Sequence, residues 1–285
     1  MAIRTMTTWN WQSTWPAPAK LNLFLHVVGR RPDGYHLLQT VFRFVDYGDS
    51  LRFAPRKDGE IRLLTPLPGV APEDDLVVRA AQLLKHETRC LDGVDITLEK
   101  RLPMGGGLGG GSSDAATVLL ALNQLWRLYL PRWHLAKIGI SLGADVPVFV
   151  NGRNAFAEGV GEALKPVDLP PAWYLVVQPP VAVPTAAIFG APELCRDTPR
   201  LDPQDWRPGM GHNDLQPVTC ARYPEVAEHL AALGSLAPAM MTGSGACVFA
   251  AFETREAAES AAAALPGGMR SWVAAGLSQH PLANI

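Results

Sequence analysis

Between Pro103 and Asp114 the chain reads Pro-Met-Gly-Gly-Gly-Leu-Gly-Gly-Gly-Ser-Ser-Asp, six glycines in seven residues followed by two hydroxyls and a carboxylate. Glycine loses more backbone freedom on folding than any other residue, so a tight turn uses one or two and a cluster of this size needs another reason. Peptides without Cβ atoms can aim several N–H groups at one anion, and the positive end of a following helix adds to the same site. The run Pro103, Met104, Gly105, Gly106, Gly107, Leu108, Gly109, Gly110, Gly111, Ser112 and Ser113 is therefore read as a phosphate cradle. Gly105, Gly107 and Gly110 also satisfy G-x-G-x-x-G. A dinucleotide site expects an acidic ribose partner about 20 residues further on, and no Asp or Glu lies between Asp114 and Asp145. Gly-Lys-Ser/Thr is absent, which excludes a Walker loop, and the His-Arg-Asp loop of protein kinases is absent too.

Other residues could act on what the cradle holds. Lys20 and Asn22 share one face of an alternating segment, opposite Leu21, Leu23 and Leu25. A lysine at a strand start is commonly just solvated, but the asparagine beside it makes a shared polar face and argues for function. Asp145 is the one acid in a long apolar neighbourhood. It either caps the turn begun by Val146-Pro147 or serves as a general base. Tyr35 and His36 follow a Pro32-Asp33-Gly34 turn. Either Tyr35 closes the edge of the core, or the pair sets a flat ring and a hydrogen-bonding tip at the mouth of a site. Phe189 reads as core before it reads as pocket wall, and Phe42 and Phe44 read as either. Thr242-Gly243-Ser244-Gly245-Ala246-Cys247 is a second glycine turn.

The elements that must position these residues follow from periodicity and caps. Val94–Glu99 alternates as a strand into the loop, and Ala115–Trp126 reads as a buried helix with Ser112 or Ser113 as N-cap. Leu37–Asp46 reads as mixed strand or short helix. Leu51–Phe53 and Ile61–Leu64 look like short antiparallel strands around Lys57-Asp58-Gly59. Asp74 or Asp75 caps a helix over Leu76–Glu87, and another helix runs from about Pro131 to Ile140. Asn154–Glu162 reads as strand, turn, strand. Prolines recur from Pro166 to Pro184 around a strand at Trp173–Val177, which sets a domain boundary near residue 165 and gives domains 1–165 and 166–285. Beyond it come a short helix from Pro184, a loop over 190–212, a helix over Pro217–Leu233 broken at Pro224, an apolar strand after the second glycine turn, a helix over Glu253–Leu265 and a strand at Ser271–Ala275. That is a two-layer α+β pattern.

The chain has 285 residues, enough for two modest domains, with 48% apolar and 18% charged residues and a net charge of -2. No global basic field draws in nucleic acid. No apolar run reaches about 18 residues, so no membrane span is expected. Cys90, Cys195, Cys220 and Cys247 have no metal spacing and read as free thiols in a reducing cytoplasm. Met1–Thr14 has no apolar core of a signal peptide and reads as a loosely held extension.

Pro18-Ala19-Lys20-Leu21-Asn22-Leu23, the glycine loop and Thr242–Cys247 resemble, in that order, the three motifs of the GHMP kinase superfamily, the kinases of galactose, homoserine, mevalonate and phosphomevalonate. Asp33-Gly34-Tyr35-His36 and Gly143-Ala144-Asp145-Val146-Pro147 further resemble the 4-diphosphocytidyl-2-C-methyl-D-erythritol kinases within it. The likeness runs from Trp15 to about Pro281. It implies an α+β, two-domain GHMP kinase fold, with a ribosomal protein S5 domain 2-like N-terminal domain, a ferredoxin-like C-terminal domain and the active site in the cleft between them. The implied reaction moves the γ-phosphate of ATP, with Mg2+, onto the 2-hydroxyl of the cytidine diphosphate methylerythritol, in the non-mevalonate route to isoprenoids.

By that resemblance Asp145 is the base and Lys20 stands beside it, offsetting charge on the transferred group. The glycine loop with Ser112 and Ser113, together with Lys100, Gly243, Ser244 and Gly245, would hold ATP. Cytosine would stack between Tyr35 and Phe189 while His36 reads its polar edge, with Asn22, Phe42 and Thr185 around the substrate. Mg2+ ligands stay open beyond Ser113 and phosphate oxygens. Asp75 stands where related kinases often have Asn near the adenine, and the residues before Trp15 are extra. Within the superfamily, a homoserine or mevalonate kinase is the alternative, but neither substrate has a nucleobase to stack. A nucleotide-binding module without catalysis is disfavoured by Lys20 and Asp145 together. The partner expected is a small molecule, on a monomer or weak homodimer.

Overall fold

The computed structural model describes residues 9–285. Its first sheet contains β1 (Trp15–Arg30), β2 (His36–Arg56), β3 (Ile61–Leu63), β4 (Gly93–Glu99), β5 (Ala155–Glu158) and β6 (Ala163–Pro166). The strand order is β3-β4-β2-β5-β6, with β1 paired to β2. Helices α1 (Leu76–Thr88), α2 (Gly110–Leu125), α3 (Arg132–Gly139) and α4 (Val146–Asn151) join its strands. The second sheet holds β7 (Trp173–Gln178), β8 (Ala239–Met241), β9 (Val248–Phe252) and β10 (Arg270–Ala275), in the antiparallel order β10-β7-β9-β8. Its helices are α5 (Thr185–Phe189), α6 (Gln216–Arg222), α7 (Pro224–Gly234) and α8 (Arg255–Ala264). The fold is a two-sheet α+β arrangement, as the resemblance to GHMP kinases implies.

Local chemistry explains much of this. The β1–β2 hairpin turns at Pro32-Asp33-Gly34, where Asp33 Oδ1 accepts the N–H of Tyr35 at 3.2 Å and Gly34 takes φ +91°. Asp75, rather than Asp74, caps α1 by accepting the N–H of Val77 at 2.8 Å.

Several expectations are corrected. The segment after His36 is one continuous strand, because β2 pairs with β1 along one edge and with β4 and then β5 along the other. β3 does not pair with the Leu51–Phe53 stretch; it lies parallel to β4, which takes the place beside Phe53. α2 begins at Gly110 with Gly109 as N-cap and no side-chain cap, so neither Ser112 nor Ser113 caps it. β1 is not solvated on its polar side: Lys20, Asn22, Phe24 and His26 are all buried. The reason is that the glycine loop, Phe42 and Asp145 close over Lys20, while the loop residues Thr242, Trp206 and His212 reach Asn22, Phe24 and His26; the second sheet packs instead against Ala19 and Leu21. The N–H of Leu25 donates to His212 O at 2.8 Å, and the N–H of Asp214 donates to Leu25 O at 2.9 Å.

The first described residues and the C-terminal end are packed as well. Of the loosely held extension expected over Met1–Thr14, Met1–Thr8 lie outside the described residues, whereas the Trp9 ring sits 5.0 Å from that of Trp15 and Trp11 also packs on the first core. At the other end, residues 277–285 return to the first sheet. The N–H of Leu277 donates to Phe44 O at 2.8 Å, that of His280 to Gly152 O at 2.9 Å, and Leu282 is buried in the first core. Among the described residues no helix is long and apolar enough to cross a membrane.

Candidate active site

The glycine loop leaves β4 and enters α2 along a cleft of 1080 Å³. Gly105, Gly107 and Gly109 have φ of +67°, +74° and +70°, backbone that residues with a Cβ rarely adopt. The loop carbonyls are spent on protein. Gly105 O accepts from Val183 and Ala246, Gly106 O from Cys247, Leu108 O from Lys20, and Gly109 O from Ser113. Gly107 O accepts from the Thr242 hydroxyl at 3.3 Å. None of the N–H groups from Gly105 to Ser112 donates to an acceptor among the described residues. The loop therefore presents donors alone, at the positive end of α2, which is the surface that phosphate oxygens require.

Lys20 adjoins the loop: a Cβ on Gly109 would lie 3.1 Å from its Cε. Its ammonium is 3.4 Å from Asp145 Oδ2, donates to Asn22 Oδ1 and lies 5.5 Å from the centre of the Phe42 ring. A buried charge is costly unless paired in this way. Asn22 Nδ2 donates to Thr40 Oγ1 at 2.9 Å, and the Asn22 N–H donates to Thr242 Oγ1 at 3.0 Å. Asp145 does occupy the N-cap position of α4, yet its side chain makes no capping bond. Its carboxylate instead faces Lys20, with 32% of the side chain exposed.

Lys100 is not free to act as a simple phosphate ligand. Its ammonium donates to Asp49 Oδ2 and to Asp114 Oδ2, both at 2.6 Å. Asp49 Oδ1 is filled by the N–H groups of Arg101 and Leu102, whereas Asp114 Oδ1 is buried without a partner. Burial pushes the Asp114 carboxyl up to about 8, Lys100 pulls against this, and Asp49 adds to it. Burial also works against the Lys100 charge, but Asp114 and Asp49 outweigh it and raise that group. Two carboxylates share one ammonium, and burial raises the carboxyl of Asp114, whose second oxygen has no partner among the described residues.

At the far end the cleft is lined by Tyr35, His36, Thr185 and Phe189. Tyr35 is 65% exposed, so it does not close the core. The His36 and Phe189 rings lie 5.1 Å apart and 38° from parallel. Burial, with the Arg196 and Arg30 charges, lowers the pKa of His36. Thr185 Oγ1 and Ser244 Oγ are 2.8 Å apart, joining this end to the second glycine turn. The opposite end is lined by Leu67, Val70, Asp74 and Asp75.

The cleft thus gathers Lys20, Asn22, Tyr35, His36, Phe42, Lys100, the loop from Pro103 to Ser112, Asp145, Thr185, Phe189, Gly243 and Ser244. Two expected residues do not line it. Ser113 is fully buried and donates its hydroxyl to Pro18 O at 2.7 Å, because the second turn residue of α2 faces strand β1. Gly245 sits behind Ser244, where a Cβ would meet Met241 Sδ at 2.8 Å. The sequence reading missed Thr242, Asp49, Asp114 and Arg196 as parts of the site. Thr242 lay inside a recognised turn, but nothing in the spacing of the other three announces a contact that the fold creates.

Comparison with known proteins fits this geometry. The family model "GHMP kinases N terminal domain" matches residues 75–153, and "GHMP kinases C terminal" matches residues 193–270. The chain is 64% identical over 272 residues to a protein of Dechloromonas aromatica (strain RCB) named 4-diphosphocytidyl-2-C-methyl-D-erythritol kinase, covering 95% of this chain and 99% of the relative. A protein of Thiobacillus denitrificans with the same name is 62% identical, with 94% and 96% covered. A crystal structure of a 4-(cytidine 5'-diphospho)-2C-methyl-D-erythritol kinase superposes with a TM-score of 0.77 at 36% identity, over 93% of this chain and 99% of that one. A homoserine kinase of Cytophaga hutchinsonii shares the fold alone, at a TM-score of 0.69 and 17% identity over 98% of both chains. The chain belongs to the GHMP kinases and, within them, to the family of the 4-diphosphocytidyl-2-C-methyl-D-erythritol kinases.

Proposed function

We propose that this chain transfers the γ-phosphoryl group of ATP to the 2-hydroxyl of 4-diphosphocytidyl-2-C-methyl-D-erythritol, a step of the methylerythritol phosphate route to isoprenoid precursors. The observation that carries this reading is the donor-only loop from Gly105 to Ser112 lying against the Lys20–Asp145 pair. An alcohol is a poor nucleophile and needs a positioned acceptor for its proton. Asp145, whose carboxylate is not used to cap its helix, takes that proton. Lys20 offsets the charge that gathers on the transferred group, and Asn22 holds the ammonium in place. ATP supplies the phosphoryl group, and Mg2+ bound with it neutralises its oxygens.

Among the described residues no three His, Cys, Asp or Glu side chains converge as a cation site. Tyr35 and Phe189 offer ring faces to the cytosine, and His36 offers a polar atom to its edge. The four free cysteines support a reducing compartment, the cytoplasm.

The test is purified protein with ATP, Mg2+ and the cytidine diphosphate alcohol, with the product read by phosphorus NMR. A new phosphomonoester on the 2-hydroxyl is expected. Phosphorylation elsewhere, or faster turnover of homoserine or mevalonate, refutes the reading.

A further inference from the structure

Arg196 lies in the loop after α5 and makes no ion pair with an acid among the described residues. Its guanidinium is instead spent on neutral acceptors. Nη1 donates to Leu194 O at 2.9 Å, and Nη2 donates to Ala191 O at 2.6 Å and to Phe189 O at 3.2 Å. A further donor, Nε–H, points at His36 Nε2 at 3.1 Å. A guanidinium has donors only and does not lose its proton, so His36 Nε2 must accept. An imidazole that accepts at Nε2 is neutral and carries its hydrogen on Nδ1. Protonation of both nitrogens is opposed by the same Arg196 charge, by Arg30 and by burial. His36 Nδ1 has no hydrogen-bond partner among the described residues, and His36 lines the cleft. One guanidinium therefore sets both the carbonyl of Phe189 and the proton of His36, whose rings are 5.1 Å apart.

We propose that Arg196 is a positioning residue that fixes His36 as the Nδ1–H tautomer, so that the pocket selects a pyrimidine with an acceptor at ring N3, cytosine, over one with hydrogen there, uracil. The proposal rests on the reading of this cleft end as the seat of the cytidine ring. Cytosine N3 is a bare lone pair and takes the Nδ1–H. Uracil N3 carries hydrogen and meets the same donor head on, leaving two donors unpaired in a site closed by aromatic rings. With the tautomer free to change, His36 could turn an acceptor to uracil, and the distinction would fade.

Two measurements test this. Long-range proton–nitrogen correlation on nitrogen-15-labelled protein, with His36 assigned through His36→Gln, reports which ring nitrogen holds the hydrogen without any substrate. Nδ1–H is expected in the unmodified chain, and loss of that preference in Arg196→Met and in Arg196→Gln, whose amide can donate or accept. Hydrogen on Nε2 in the unmodified chain overturns the proposal, and so does an unchanged tautomer in both variants.

The second measurement is kcat/KM for the cytidine substrate against its uridine analogue. A preference of about 10²-fold for cytidine is expected, falling about tenfold or more in the folded variants. Equal use of both bases, or a preference that survives the change of tautomer, overturns it. If neither base is turned over by the unmodified chain, the proposed function fails, while the nitrogen spectra still decide the role of Arg196.

Discussion

A Cβ atom on Gly107 would stand 2.1 Å from the carbonyl oxygen of Thr242, so the phosphate loop and the second glycine turn touch backbone to backbone across the cleft. A side chain at 107 would push the two turns apart as well as fill the cradle, and Gly107→Val therefore confounds nucleotide binding with the joint between the sheets. Gly111 is the cleaner probe. It faces the cleft, and its Cβ would meet only the tip of Leu76, at 3.2 Å. Gly111→Val is expected to keep its Tm within a few degrees while ATP affinity by calorimetry falls about 10²-fold or more, since the branched side chain covers the amides of the first helical turn. Unchanged affinity would mean that the loop is only a turn.

Asp145→Asn keeps the shape of the side chain and removes its capacity to take a proton. Turnover should fall by about 10²-fold or more with ATP binding nearly intact. Near-normal turnover would remove Asp145 as the base.

Tyr35 contributes little to the core at 65% exposure. Tyr35→Ala should therefore leave Tm unchanged and raise KM for the cytidine substrate about tenfold, with little change for ATP. An equal rise for both substrates would place the ring outside the nucleobase site.

Thr242 is fully buried and ties Asn22 to Gly107 through one hydroxyl. Thr242→Val leaves the Asn22 N–H without an acceptor, a cost of about 1–3 kcal/mol. Because Asn22 orients Lys20, turnover should fall about tenfold, and Thr242→Ser should restore it. Equal turnover in the valine and serine variants would show that the hydroxyl does not act through Asn22.

The Asp114 carboxyl, pushed up to about 8, gives a pH signature. In the unfolded chain it loses its proton near the ordinary carboxylate range, about 4. Folding thus takes up a proton between those values, and this contribution to stability shrinks as pH rises through the window. Asp114→Asn should flatten the fall of Tm between about pH 5 and 8. Identical slopes in the two proteins would mean that Asp114 is ionised in the fold.

What the sequence disclosed follows from how local each signal is. α1 was legible because Asp75 sits next to the residues it caps, and β7 because Trp173–Gln178 is apolar between prolines. The glycine loop was legible because its composition has no cheaper explanation. β2 was not, since its continuity depends on three strands distant in sequence. The alternation of β1 suggested one wet side, because no local pattern announces the glycine loop, Asp145 and Thr242 closing over Lys20 and Asn22. Ser113 looked like Ser112 until the helix phase separated them, one facing the cleft and the other donating to Pro18. Arg196 and His36 are far apart along the chain, and only the fold makes them neighbours.

The bonds that cross from β1 to the loops at 212–214 and at Thr242 have a bearing on exchange of molecules during the cycle. Asn22 is tied to Thr242, and Leu25 to both His212 and Asp214, on the very strand that carries Lys20. A clamshell hinge through the middle of the cleft would rupture those ties and unseat the ammonium each time ADP departs. Spent nucleotide and product should therefore leave along the cleft, past Tyr35 or past Leu67 and Val70, while the centre stays shut.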